Sequence, residues 1–469
     1  MKHLFLLFAF LICSNQIHSQ ENLPTDYLSK EFHKGRREAF RNLMPSNSVA
    51  VIFSYPERVF SKDVNYNFHQ NPDLYYLSGY KEPDAVLVIF KESQGSGAAA
   101  YNEVFYVRER NAAHEVWTGR RLGVEGAKSK LGFSTVYNGK DFKDAGIDFK
   151  KFSQVIYDEI PTDIGNDNSG FDLFGLLQTF KTKAGITQPN EASIGTFTDI
   201  TNALREIKTP EEMVLMRKTV KLSCMAHNEV MKAVGPDMSE NEAEAIHTYI
   251  HRKHGAEDEG YPPIVGVGAN GCILHYGENN SSKMDNQLLL MDVGSEYHGY
   301  SADVTRTVPA NGKFTEEQKA IYQIVYDAQE AVFKLLKEGT SLRTTETAAQ
   351  EVVAQGLLKL GIIKELKEAR KYYPHGCSHF LGLDVHDKGN YRAPLKENMI
   401  ITVEPGIYIP ANSNCDKKWW NIGVRIEDDI LITKDSYENL SIDSPRTWQD
   451  VEKLAAEKST FNELKFPKI

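Results

Sequence analysis

LLLMDVGSEYHGYSADVTRTV, residues 288–308, sets two apolar, β-prone runs on either side of the polar tetrapeptide EYHG. Apolar runs flanking a short glycine-bearing turn are a hairpin signal. With Tyr297 and His298 as the two turn residues, Asp292 stands directly opposite Asp303. Directly opposed residues on one face bring their Cβ atoms to roughly 4.5–5.5 Å of each other, so two aspartates there repel unless a cation lies between them. A solvated tip or a shifted register would relieve the repulsion. Asp292, however, sits among Leu, Met and Val, an interior setting in which a bare carboxylate is expensive.

The same device recurs downstream. MIITVEPGIYI (399–409) and GVRIEDDILIT (423–433) read as strands joined by the polar loop PANSNCDKKWWN, and each carries an acid inside its apolar run, Glu404 in one and Glu427 in the other. Pro405 biases Glu404 towards extended geometry. Asp428 and Asp429 compete with Glu427; strand alternation places Arg425 and Glu427 on one face and turns Asp428 away.

HGCSHFLGLDVHD, residues 375–387, adds His375, His379 and His386. Two histidines four apart suggest the zinc helix in which a glutamate follows the first histidine. Here Gly376 follows it, and Gly376 and Gly382 make a poor helix interior, each costing roughly 1 kcal/mol against alanine. An extended or looping chain is expected, with His375 and His379 on one face and His386 on the other unless a glycine bulge reverses it. Carboxylates with histidine and no thiolate form a donor set for two divalent ions, manganese, cobalt, zinc or iron.

At 469 residues the chain exceeds one ordinary core, and two domains are expected. A formal charge of -10 without a long basic run argues against nucleic acid and an anionic membrane as partners. Residues 1–19 read as a signal peptide, with one lysine and an apolar run from Leu4 to Cys13 too short to span a bilayer. Export to the periplasm or medium is therefore expected, with no membrane association after cleavage. Cys224, Cys272, Cys377 and Cys415 show no disulfide framework, and Cys377 reads as a small buried thiol rather than a nucleophile.

Residues from about 24 to 160 alternate short apolar runs (SVAVIFSY, AVLVIF, EVFYVRE) with helical stretches, an α/β pattern that marks a first domain over 24–205. A second domain over 206–469 opens with a long helix, for which Thr209 is the N-cap, Pro210 the first helical residue and Glu212 the partner of a capping box. Further helices are expected over about 315–338 and 343–360, and a last surface helix in TWQDVEKLAAEK (447–458). No sequence repeat is evident.

LLLMDVGSEYHGYSADVTRTVPANGKFT, HGCSHFLGLDVHD, ITVEPGIYI and VRIEDD together resemble the successive motifs of the proline-specific pita-bread metallopeptidases. NGCILHYGEN (270–279) and FHQNPDLYYLSGYKEPDAVLVI (68–89) point within them to the Xaa-Pro aminopeptidases, over residues from about 27 to 435. The resemblance implies an α/β (α+β) chain, a creatinase-type N-terminal domain followed by a pita-bread catalytic domain. It implies Asp292, Asp303, His379, Glu404 and Glu427 as ligands of two divalent ions, Mn2+ before Co2+, Zn2+ or Fe2+. It also implies Glu404, His275 and His386 as catalytic groups, and His375, Arg425, Tyr408 and Trp117 as substrate contacts. EVWTGRRLG (115–123) resembles a stretch whose tryptophan reaches a neighbouring subunit, so a homo-oligomer is implied. The expected reaction is hydrolysis of the bond before a penultimate proline by a metal-bridged hydroxide. Prolidase, a metal-free binding protein and a metal-free amidinohydrolase are the rival readings.

Overall fold

The computed structural model describes residues 24–464, so the expected signal segment lies outside the described residues. The N-terminal half is built on a five-stranded mixed sheet, in the order Val136–Asn138, Tyr101–Val107, Val86–Gln94, Ser48–Phe53, Gln154–Tyr157. Ser48–Phe53 is buried throughout because both sheet faces are covered. Ala50 and Ile52 pack in one core with Phe40 of helix Lys30–Leu43, whereas Val49 and Val51 face Leu176 and Phe180 of helix Leu173–Ala184.

Helix Glu191–Arg205 leads into helix Pro210–Ala233, which starts as the sequence requires: Thr209 accepts from the Glu212 N–H, and Glu212 accepts from the Thr209 N–H. The order of elements then repeats. Two helices (Pro210–Ala233, Glu240–Lys253) precede antiparallel strands, and two more (Glu316–Phe333, Leu342–Lys359) precede a second antiparallel set. This duplication has no counterpart in the residues. Helix Glu316–Phe333 ends before the expected 338, where the chain turns to bury Leu336. Helix Trp448–Ala455 is not purely superficial, since Val451 is wholly buried. No described helix is long and apolar enough to cross a membrane.

The hairpin between the two aspartates forms, but its register corrects the expected one. Tyr297 pairs with Tyr300, and Asp292 pairs with Thr305, not Asp303. The turn is His298–Gly299, with φ of 51° and 87°, because a two-residue turn of this hand needs positive φ at both central positions. His298 is held there by Asp26 at 2.9 Å and Glu257 at 3.0 Å, under the stacked ring of Tyr27. A displacement of two residues leaves every side chain on its original face, so both aspartates still point the same way.

In the second set, Ile400–Val403 pairs with Asp428–Ile432 and Gly406–Ile409 with Ile422–Arg425. Both registers extrapolate to Glu404 opposite Glu427, which occupy the break where neither strand pair continues.

The halves are joined by a buried ionic cluster. Arg205 contacts Asp73 at 2.8 Å, Asp384 at 2.7 Å and Asp387, while Lys208 meets Asp387 at 2.8 Å and Lys388 meets Asp73 at 2.7 Å. Removing one partner of a buried ion pair leaves the others uncompensated. Arg205→Ala should therefore cost about 3–5 kcal/mol, measured as a lowered midpoint of urea unfolding.

Candidate active site

A cleft of ≈ 720 Å³ opens in the C-terminal half, lined by Asp292, Asp303, His379, Glu404 and Glu427 together with His275, His375, His386, Tyr261 and Arg425. The structure thus gathers all five expected ligands at one place. Asp303, His379 and Glu427 each offer a donor atom, all within 4.8 Å of one another. His379 Nε2 lies 3.3 Å from Asp303 and 3.5 Å from Glu404. Its Nδ1 donates to the Phe380 carbonyl at 3.0 Å, so in the neutral ring that a metal would require, Nε2 is the acceptor.

The three histidines face one cleft because the loop does not stay extended. Gly382 turns it, accepting a bond from the Ser301 N–H and approaching Asp387 and Lys208 so closely that a Cβ would lie 2.1 Å from Asp387 Oδ2. His386 consequently stands edge-on to His379, ring centroids 4.5 Å apart, reversing the side assigned to it by simple alternation. His375 Nε2 is 2.8 Å from the Tyr408 hydroxyl and its Nδ1 3.6 Å from Glu404. Cys377 is buried, and burial pushes its thiol up to about 12, which fits an inert thiol.

Of the three consecutive acids, Glu427 alone lines the cleft. Asp428 turns away to Arg306 at 2.7 Å and Gln329 at 2.8 Å. Asp429 lies behind the site and accepts the Asp303 N–H at 3.1 Å; burial and the Asp303 charge raise its pKa far above the carboxylate range. Arg425 is buried behind the ligands, with Nε 3.1 Å from Thr305 Oγ1, Nη1 2.8 Å from Tyr408 Oη and Nη2 on Asp292. Trp117 does not reach this cleft within the chain; it is 88% exposed on the short helix Ala112–Thr118.

Two supporting groups escaped the sequence reading. Tyr261 Oη lies 2.5 Å from Asp292 and 2.6 Å from Asp303, and Thr305 donates to Glu427 at 2.6 Å. Thr305 is visible as the residue opposite Asp292 once the turn is placed correctly. Nothing in the residues around Tyr261 signals its role.

Without added cations this cluster is over-charged. Burial and the charges of Asp303, Glu404 and Asp292 push Glu427 well above the carboxylate range, and burial with neighbouring acids raises Glu404 to about 7. Burial also raises Asp292 despite Arg425. Asp303 goes down: burial opposes it, but the hydrogen bond and charge of His379 prevail, and His379 is itself lifted to about 9. One phenolic proton serves two aspartates, and one arginine faces four acids. Oxygen and nitrogen donors with excess negative charge fit divalent cations.

The fold and this donor set define a metallopeptidase. Residues 214–434 match metallopeptidase family M24, and residues 33–157 match the aminopeptidase P N-terminal domain. The Xaa-Pro aminopeptidase of Escherichia coli (strain K12) is 35% identical over 446 residues, covering 91% of this chain and 98% of that protein. The structure of aminopeptidase P from E. coli with the inhibitor Pro-Leu superposes with a TM-score of 0.81 at 34% identity, covering 92% of this chain and 98% of that one. A zinc-substituted form of the E. coli enzyme in complex with product gives 0.79 at 33% identity, with the same coverage. The chain belongs to the Xaa-Pro aminopeptidases of family M24, with the pita-bread catalytic domain and aminopeptidase P N-terminal domain of that family.

The geometry separates the histidines. His379→Ala should weaken metal binding by more than the ~10–100-fold that loss of a supporting outer group costs. His386→Ala should keep its metal and lose rate. Elemental analysis after gel filtration, paired with initial rates, checks both, and equal metal loss in the two variants would reverse the assignment. Asp292→Ala and Asp303→Ala should each abolish turnover in metal-replete buffer while far-UV circular dichroism stays unchanged.

Proposed function

We propose that the protein hydrolyses the bond between an N-terminal residue and a following proline in peptides longer than dipeptides, using two divalent ions held by Asp292, Asp303, His379, Glu404 and Glu427. The convergence of four carboxylates, three of them buried and Glu404 partly so, and one histidine on a single cleft carries this reading. Ions bound there would lower the pKa of a coordinated water and polarise the scissile carbonyl.

The chain's own residues supply the rest. Glu404, which lines the cleft beside His379, accepts the proton of the attacking water and returns it to the departing proline nitrogen. His386, edge-on to His379 and lining the cleft, donates to the oxyanion, as does His275, which lines the same cleft, a contribution of about 3–4 kcal/mol for such a donor. His375 lines the cleft where the substrate would seat; Tyr408, expected as a substrate contact, is buried outside the cleft lining and braces His375 through its hydroxyl at 2.8 Å. A bond before proline has no N–H on its leaving side, so recognition rests on ring shape rather than a backbone hydrogen bond.

A prolidase reading requires a cation to receive the dipeptide's carboxylate. Arg425 is the only arginine or lysine lining the cleft among the described residues, and its three nitrogens already serve Thr305, Tyr408 and Asp292. That occupancy favours an aminopeptidase. Manganese is the ion we assign first, and the leading segment reads as an export signal. The exposed Val116 and Trp117 support self-association that carries Trp117 to another subunit's cleft.

Xaa-Pro-Yaa tripeptides should be cleaved at least as fast as Xaa-Pro dipeptides in buffers containing Mn2+, Co2+ or Zn2+. Comparing kcat/KM for the two substrate lengths decides it; activity confined to dipeptides makes the enzyme a prolidase.

A further inference from the structure

Helix Pro210–Ala233 carries three buried polar residues at four-residue spacing, Thr219, Ser223 and His227. Residues four apart share one helix face, and this face is turned to the chain that leaves Asp292. Thr219 Oγ1 donates to the Ser295 carbonyl at 2.7 Å, Ser223 Oγ accepts the Ser295 N–H at 3.0 Å, and His227 Nε2 is 3.1 Å from the Val293 carbonyl. The Val293 N–H in turn donates to the Val304 carbonyl at 3.2 Å.

Val293 and Val304 are the residues immediately after Asp292 and Asp303. Between them the two chains run so close that a Cβ on Gly294 would lie 1.8 Å from the Ala302 carbonyl. The imidazole N–H therefore holds the chain leaving Asp292 directly and the chain leaving Asp303 through the Val293 peptide, at the point where the aspartates are set apart. We propose that His227 is a positioning residue for the metal centre, fixing the separation of Asp292 and Asp303 through the Val293 peptide, whose carbonyl meets the imidazole and whose N–H meets the Val304 carbonyl.

Its surroundings suit that task. The ring is fully buried, and burial together with the Arg306 charge holds its pKa down at about 3, so it stays neutral with a single N–H. His247 packs edge-on against it at 4.6 Å. His247 has no hydrogen-bond partner at either ring nitrogen, so within this pair His227 makes the directional contact and His247 only fills space. An imidazole Nε2–H directed at a carbonyl has a substitute in glutamine, whose amide reaches to the position of Nε2. Asparagine is too short.

The inference rests on Asp292 and Asp303 being ligands, and the test separates the two claims. Full-length chain stripped of metal by a chelator is titrated with Co2+, reading affinity and the visible d–d spectrum, with unfolding midpoints recorded alongside. His227→Asn should bind Co2+ about tenfold or more weakly, as expected for loss of an outer supporting group, with an altered spectrum. His227→Gln should restore affinity to within about threefold and return the native spectrum, and His247→Leu should behave like wild type in both. Equal affinity and spectra in His227→Asn and His227→Gln would overturn the proposal. So would equal losses in His227→Asn and His247→Leu, or a His227→Asn chain that does not fold while His227→Gln does, because either makes the residue a packing element only. Undiminished Co2+ binding by Asp303→Ala would remove the ligand assignment and the inference with it, whereas loss there with none in His227→Asn removes the inference alone.

Discussion

The catalytic half is organised around a repulsion. Asp292, Asp303, Glu404 and Glu427 meet in a largely buried cleft against one arginine, and each uncompensated charge there carries a penalty of several kcal/mol. Protonation relieves part of it, as the raised pKa values of Glu404, Glu427 and Asp292 indicate. Divalent cations would relieve more. Because their binding energy is available only to the folded chain, it becomes folding energy, and the metal-free protein must keep the acids together by other means.

Those means are backbone crossings and buried arginines. Arg306, wholly buried, donates to the Thr305 and Glu427 carbonyls and to Asp428, tying the first set of strands to the second where each carries its acid. Thr305 and Glu427 also form an isolated bridge between the sets. The N-terminal half acts from the other side, since Arg205, Lys208 and Asp73 clamp the end of the histidine loop through Asp384, Asp387 and Lys388. A carboxylate cluster assembled from hairpins that are distant in sequence thus gains the rigidity that catalytic geometry demands.

How much of this is legible from residues alone depends on the length scale of each signal. Capping, strand runs and domain order are local, and Thr209–Glu212 forms as read. The aspartate hairpin was legible as a hairpin but not in register, because a tyrosine–histidine turn and a histidine–glycine turn look alike until positive φ is required at both positions, a conformation His298 holds only with Asp26 and Glu257 from elsewhere in the chain. An even-numbered error left the faces unchanged, which is why the acids were found despite it. Glu427 could be preferred to Asp428 by alternation, but the place of Asp429 behind Asp303 depends on how two sheets meet. Tyr261 and His227 carry no local mark at all: each matters only through a carboxylate or carbonyl far along the chain.

Arg425 limits how substrate length can be selected. Its guanidinium offsets Asp292 and orients Tyr408, and the hydroxyl of Tyr408 in turn meets His375. Diverting it to a substrate carboxylate would strip Asp292 of its counter-charge and leave the hydroxyl of Thr305 with one partner fewer, an exchange in which one buried charge is satisfied by exposing another. Discrimination between dipeptides and longer chains must therefore come from groups at the mouth of the cleft, where a side chain can change without disturbing the acids. At that mouth His275 and His386 are solvent-exposed, so a peptide extending beyond the acids would pass beside them.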